Sequence, residues 1–316
     1  MERANKRFHI RDGPIVVVGD ATVDLTSVFE GWPVRGQASL IRQVDVAPGG
    51  TGLNVAIGLA RLRLPVTFIG TFGNDFFGEY LREAAIGEGI DLAVGRRSNL
   101  PTRIVLIRVN NVGQPAFLAF NRPSADDDLK YEKRFTKHIR HASILFVSGL
   151  SLRFEPSRSC VLSLMTLARR HKVPVVFDPN IRTKKTITKD DRDTLRVAKQ
   201  LADIYLPTAN EDKLVGGSQA SSSRAIVVIK RGAHGCVLGQ DGDAISFRPP
   251  KVRLIDATGA GDAFNAGFLS ALYRQHSLGR ACKLGNVCGS IATTALGASR
   301  ALPNLRTIRP YAKSLT

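Results

Sequence analysis

The sequence predicts a doubly wound α/β fold: a mostly parallel sheet with helices on both faces, plus a small second β-sheet. Short apolar runs such as 15–18 and 66–69 alternate with amphipathic stretches, as buried parallel strands joined by helical crossovers do. Two segments, about 25–47 and 102–122, interrupt that rhythm with extended pieces and no helix. Glycine clusters stand where strands end, which is where such sheets hold their ligands.

At 316 residues the chain exceeds the length at which one core grows easily, so residues 1–316 are read as a single α/β domain carrying the extra sheet as an appendage. An apolar fraction of 43% suffices for a buried core. The 45 basic against 27 acidic residues give a net charge of +18, yet they are scattered and form no long block. Aromatic residues are few and not interleaved with them, which argues against a single-strand nucleic-acid binder. The charge is read as a solvated surface with some attraction for phosphorylated substrates, and nucleic acid is not an expected partner. Cys160, Cys236, Cys282 and Cys288 have neither metal nor redox spacing and are expected to be buried free thiols in a reducing compartment. No apolar run approaches 18 residues, and the basic start leads directly into a strand. The expectation is a cytoplasmic protein with no membrane partner.

Taken in order, 14–19 reads as a buried strand ending in Gly19-Asp-Ala-Thr-Val-Asp24, a strand-end loop. Short β-like pieces fill 25–47. Pro48-Gly-Gly-Thr-Gly-Leu-Asn54 then opens an amphipathic helix through Val55, Ala56, Leu59, Ala60 and Leu62. A strand follows at 66–70, and Gly73-Asn-Asp-Phe-Phe-Gly78 turns into a helix. Segments 103–109 and 115–120, with Asn111-Val-Gly between, read as a hairpin. The two β-only segments are expected to pair in space as a sheet covering the site, a lid. From 143 the order is regular: strand 143–148, helix 156–171, strand 173–178, helix 191–201, strands 203–206 and 225–230, and hairpin pieces at 234–247. A helix of small residues spans 278–296, and 218–223 reads as a loop.

The stretch that carries chemistry is Asp256-Ala-Thr-Gly-Ala-Gly-Asp-Ala-Phe-Asn-Ala-Gly-Phe-Leu269. An apolar strand end at 252–255 is expected to run into a turn holding Gly259 and Gly261. Ala263, Phe264, Gly267, Phe268, Ala271 and Leu272 follow at helical spacing. The first amides of a helix lack internal partners and point outward, so such a turn is an anion site. Asp262, in the first helical turn, places a carboxylate beside it. An anion cradle with a neighbouring carboxylate is what phosphoryl transfer to a hydroxyl requires. Neither the P-loop spacing nor G-x-G-x-x-G is present, since Phe264 holds the third glycine's place.

This string closely resembles the signature of the ribokinase-like (PfkB) carbohydrate kinases, and the resemblance extends over nearly the whole chain. Pro48-Gly-Gly-Thr-Gly-Leu-Asn-Val-Ala-Ile-Gly-Leu-Ala-Arg-Leu62 looks like that family's N-terminal glycine motif, and Gly70-Thr-Phe-Gly-Asn-Asp-Phe-Phe-Gly78 like the segment after it. The resemblance implies that Asp24, Gly50 and Asn54 bind the sugar, which suits their capacity for paired hydroxyl contacts. It makes Asp262 the base, with the amides of Gly259, Ala260 and Gly261 stabilising charge on the phosphoryl group. Asn121-Arg-Pro-Ser-Ala-Asp126 and Phe177-Asp-Pro-Asn-Ile-Arg182 are similar to motifs of fructokinases and 2-keto-3-deoxygluconate kinases, making Arg122 and Arg182 candidate substrate contacts. Asn121 stands where many of those carry an aromatic residue. Thr208-Ala-Asn-Glu-Asp-Lys213 occupies the place of an Asn-x-x-Glu motif, with Asn210 matching and Lys213 at the glutamate position. Lys230, Gly232 and Gly235 resemble the nucleotide-side glycine segment, and Asn286 a position lining the adenine pocket. Asp256 and the carbonyl of Thr258 are implied as part of a monovalent cation site, for potassium, closed by the loop 296–299.

The function expected is an ATP- and magnesium-dependent sugar kinase acting on a primary hydroxyl, fructokinase-like, with a neutral ketose favoured. Open beside it stand a 2-keto-3-deoxygluconate kinase, a ribokinase, a nucleoside kinase of the same fold and a non-catalytic sugar or nucleotide sensor. A homodimer formed through the lid also stays open.

Overall fold

A computed structural model describes residues 2–29, 36, 40–92, 96–109, 114–181, 187–216, 225–239 and 244–315. Its main sheet has eight strands. From one edge they run Ile245–Phe247, Cys236–Leu238, Ile226–Lys230, Ile204–Tyr205, Val175–Asp178, Ile144–Ser148, Ile15–Val18 and Val66–Ile69. Pairing is parallel from Val66–Ile69 as far as Ile226–Lys230, and antiparallel for the two strands at the other edge.

Sequence alternation explains why both faces of this sheet are covered. Ile15 and Val17 enter one core with Leu53, Ile57, Phe264 and Phe268 from helices Thr51–Arg61 and Ala260–Tyr273. Val16 and Val18 enter the other, with Phe135, Leu164 and Leu195 from helices Arg134–His141, Ser157–Arg170 and Lys189–Leu201. All four side chains of Ile15–Val18 are fully buried, each contributing about 1.5–3 kcal/mol of burial free energy.

The chain leaves Ile15–Val18 for Val66–Ile69 on one side and later returns to Ile144–Ser148 on the other. The strand order therefore reverses beside Ile15–Val18, and a crevice opens there at the strands' carboxyl ends. The expected extra sheet stands nearby. It has four strands in the order Ile41–Gly49, Thr22–Phe29, Arg103–Val109, Pro115–Phe120. Thr22–Phe29 and Arg103–Val109 run parallel, joining the two β-only segments directly. Val66–Ile69 is followed by a short strand, Thr71–Gly73, paired in parallel with Arg96–Ser98.

Two expectations change. Residues 252–255 are not a strand: the end of the segment is tied to a helix terminus instead, the amides of Ile255 and Asp256 donating to the carbonyl of Thr293 at 2.8 and 3.3 Å. Helix Arg134–His141 went unread because its only buried apolar side chains are Phe135 and Ile139, one turn apart among basic residues. The four cysteines are free and buried, as expected. Among the described residues no helix is long and apolar enough to cross a membrane.

Candidate active site

Helix Thr51–Arg61 begins at Gly50, whose φ of 90° suits glycine, and Gly50 offers no side chain to cap the helix. Asp20 supplies the cap from the neighbouring strand end. Its carboxylate accepts from the amides of Thr51 and Gly52 at 3.0 and 3.2 Å and from the Ser148 hydroxyl at 3.0 Å. This buried carboxylate fixes the helix start to both strands that flank the sheet's reversal point.

Asn54, one turn along that helix, reaches the second glycine motif. Its Nδ2 donates to Oδ2 of Asp262 at 2.8 Å, while its own Oδ1 is buried without a hydrogen-bond partner. Asp262 lies in the first turn of helix Ala260–Tyr273, whose N-cap, Gly259, is left-handed at φ 76°. A side chain at Gly259 would press on Ala298, so the loop 297–299 packs directly on the turn. Asp256 fastens that loop: it accepts from the amide and hydroxyl of Thr258 at 2.8 and 2.6 Å and from the amide of Gly297 at 2.9 Å.

Asn54, Asp262, Gly259 and Thr258 border a cavity of about 240 Å³ that also takes in Gly50, Asp24 and Asp20. The second sheet and residues 150–154 form its opposite wall, with Phe117, Phe120 and Phe154 among the lining. Thr22 donates its hydroxyl to Asp24 at 3.0 Å, holding that carboxylate at the wall. The sequence-named residues Asp24, Gly50, Asn54, Thr258, Gly259 and Asp262 thus converge on one cavity, although more than 200 positions separate Asn54 from Asp262.

The arginines differ from expectation. Arg122 does not line the cavity: it stacks over the Phe154 ring at 3.2 Å, sits 3.6 Å from Asp127 and is about half exposed. The ring face and the carboxylate together draw it outward. Arg182 lies outside the described residues. Asn121 has a structural task, since its side chain accepts from the amide of Ile104 at 2.7 Å and donates to the Thr102 carbonyl at 3.1 Å. The arginines that do line the cavity are Arg103 and Arg153. Nε of Arg103 donates to both carboxylate oxygens of Asp126 at 2.9 and 2.8 Å, and Nη2 to Asp127 at 2.8 Å. Burial pushes the Asp126 carboxyl up to about 6; Arg103 opposes the shift, whereas Asp127 and Asp20 add to it. Nothing in the local spelling of Arg103 marks it as a site residue; only the pairing of its strand with Thr22–Phe29 puts it there.

The far side of the Ala260–Tyr273 turn holds a second polar group. Lys230 donates to Asp178 at 2.5 Å, and Asn265 donates to the same carboxylate oxygen at 2.6 Å. The Lys230 ammonium would lie 3.8 Å from a side chain at Gly261, which puts it next to the helix amides. Oδ1 of Asn265 is buried and unpartnered. Gly235, at φ 79°, turns the chain against Phe247, and Asn286 donates to the Phe247 carbonyl at 2.8 Å. Gly232 is exposed, at φ 55°. The register around Asn210 moves. Helix Ala209–Val215 starts after Thr208, and Glu211, not Lys213, is the carboxylate directed inward, accepting from the amides of Ile181 and Thr208 at 2.7 and 2.6 Å. Asn210 and Lys213 are exposed.

A profile of the pfkB family carbohydrate kinases matches residues 13–305. The chain belongs to that family. The kinase is 34% identical over 307 residues to a fructokinase of Escherichia coli, covering 91% of this chain and 95% of that one. It is 29% identical over 322 residues to a 5-dehydro-2-deoxygluconokinase of Listeria monocytogenes, covering 96% and 97%. Among solved structures, the fructokinase of Vibrio cholerae with fructose, ADP and calcium bound superposes with a TM-score of 0.77 at 28% identity, over 95% of this chain and 98% of that one. The aminoimidazole riboside kinase of Salmonella enterica superposes at 0.74 and 28%, over 96% and 100%. The sequence reading of a ribokinase-like fold and of a sugar kinase transferring phosphate to a hydroxyl is borne out.

The residues present fit a nucleoside triphosphate. The first-turn amides of helix Ala260–Tyr273, of which Ala260's donates to the Ala257 carbonyl at 3.3 Å, have the Lys230 ammonium beside them, a setting that suits phosphate oxygens. Among the described residues no group of three or more His, Cys, Asp or Glu could hold a metal ion.

Proposed function

We propose that this kinase phosphorylates the primary hydroxyl of a small neutral ketose, fructose first, with ATP as donor. The observation that carries the reading is the first turn of helix Ala260–Tyr273, where the buried carboxylate of Asp262 faces the cavity beside the amides of Gly259, Ala260 and Gly261. A hydroxyl bound in the cavity delivers its proton to Asp262, and the amides stabilise the charge on the transferred group. Asn54 positions Asp262 through Nδ2 and offers Oδ1 to a sugar hydroxyl. Bound ATP supplies the phosphoryl group, with magnesium neutralising its charge. Lys230, Asp178 and Asn265 hold the phosphate side, and Gly232, Gly235 and Asn286 lie toward the base. Glu211 takes the place of the motif glutamate.

A neutral sugar is favoured by the lining, where Asp20, Asp24, Asp126 and Asp262 outnumber Arg103 and Arg153. The fructokinase relative supports the same choice. A second reading, a riboside, rests on Phe117, Phe120 and Phe154, which could stack on a base. An ATP-consumption screen over fructose, other hexoses, pentoses, keto-deoxy acids and nucleosides tests both. Turnover of fructose well above the rest supports the first reading; a nucleoside winning that screen overturns it.

Three further parts belong to this reading. The four-stranded sheet closes over bound sugar. Asp256 and the Thr258 carbonyl would hold a potassium ion, so activity in potassium should exceed that in choline salts severalfold. The enzyme works in the cytoplasm as a homodimer through the outer face of the lid.

A further inference from the structure

The relatives of this chain act, by their names, on a neutral ketose and on a gluconate-type acid, so the residue that separates the two classes matters. Two cationic side chains, Arg103 and Arg153, line the cavity; Arg153 lies over the Phe154 ring, and Arg103 is held by carboxylates. Arg103 spends Nε on both oxygens of Asp126 and Nη2 on Asp127. Its side chain is only 13% exposed and lies 5.2 Å from the Phe120 ring centre, so it cannot swing away. The Nε edge and part of the Nη2 group are therefore already held by two carboxylates of the protein itself, which more than balance the guanidinium's charge.

We infer that the Arg103–Asp126–Asp127 cluster is the specificity determinant of the sugar cavity, excluding sugar acids because Asp126 and Asp127 compensate the guanidinium's charge and repel a third carboxylate. This deepens the proposed function and rests on that cavity holding the sugar.

The groups facing Asp126 come from three elements. Arg103 projects from the lid strand, Asp127 and Ser124 belong to its own turn, and Asp20 stands at the end of strand Ile15–Val18. Arg122 reaches the cluster only through Asp127. The Ser124 hydroxyl donates to Asp126 at 2.9 Å and contacts Asp127 at 3.2 Å, holding the two carboxylates together. Repulsion from Asp127 and burial both favour a proton on Asp126, whose carboxyl titrates near 6. The sign follows: as pH falls from 8 toward 6, Asp126 gains a proton, the negative charge around Arg103 drops, and an acid ligand gains affinity. A sugar carboxylate stays ionised across that range, since such groups titrate near ~3.5.

The test is calorimetric binding of fructose and of 2-keto-3-deoxygluconate to the full chain, for the parent, Asp126→Asn, and Asp126→Asn combined with Arg103→Met. At pH 8 the parent should bind fructose at least tenfold tighter than the acid, with the gap narrowing at least threefold at pH 6. Asp126→Asn should close most of the gap at pH 8 and remove its pH dependence, and adding Arg103→Met should reopen it. A gap unchanged in folded Asp126→Asn, or closed equally without Arg103, overturns the inference. Should Asp126→Asn not fold, the parent's pH dependence decides alone, and a flat profile sinks the idea. If the parent binds the acid but not fructose, the neutral-ketose reading falls. In that case the acid's own pH dependence still judges the cluster.

Discussion

Asp262 and Asn54 are the smallest unit on which the reading depends. Asp262→Asn keeps the shape and the hydrogen-bonding size of the side chain but cannot take the hydroxyl proton. Its kcat should fall by roughly 10²–10⁴-fold, with sugar and ATP affinities nearly unchanged. Steady-state kinetics and calorimetry check this, and a loss of under about tenfold in kcat would remove Asp262 as the base. Asn54→Asp tests the partner. It sets a second carboxylate at hydrogen-bond distance from Asp262, 2.8 Å in the parent pair. Two such groups share a proton, so the pair's higher apparent pKa rises. The acid limb of the kcat–pH profile should therefore move up by at least about one unit. An unmoved limb would mean that Asp262 does not set it.

At the scale of elements, we propose that the second sheet moves as a lid, because water must be kept from the transferring group. It is joined to the body through Val23, fully buried in the main core, and at polar points, one being Arg300, which pairs with Asp45 of strand Ile41–Gly49 at 2.6 Å. Another is Tyr80, whose hydroxyl donates to the Val46 carbonyl at 3.3 Å. Amide exchange in strands Ile41–Gly49 and Arg103–Val109 should slow on adding saturating sugar, as expected for a lid drawn from the less stable part of a fold. Equal exchange with and without sugar would show a fixed wall rather than a lid.

At the scale of the whole molecule, we propose that the outer face of that sheet is where two copies meet. Val44, Val46 and Leu106 are 56%, 41% and 42% exposed on it, while Asp45, Ala47 and Ile107 between them turn inward. Register puts Val46 across from Leu25 and Leu25 across from Leu106, so the exposed residues form one apolar stripe. A stripe of this kind on a two-sided sheet invites a second copy. Light scattering should give twice the chain mass for the parent and the single chain mass for Leu106→Glu. A parent that runs as one chain at micromolar concentration would end the dimer reading.

The sequence by itself determined much of the local structure: which strands are buried, where helices Thr51–Arg61 and Ala260–Tyr273 begin, and that a carboxylate stands in the first turn of the second. These depend on neighbours within a few residues, as with Thr208 and Glu211, whose capping box explains the buried glutamate once the helix start is located. Pairing of the two β-only segments was legible too, because neither had a helix to cover it. Only the tertiary structure decided which arginines line the cavity. Arg122 carries the more suggestive motif, but it is drawn to Phe154 and Asp127 on the surface. Arg103 reads as one residue of a plain strand until the parallel register sets it opposite Thr22, in the wall of the cavity. Its pairing with Asp126 and Asp127 spans more than 20 positions and depends on burial, and neither the distance nor the burial can be read from local spacing.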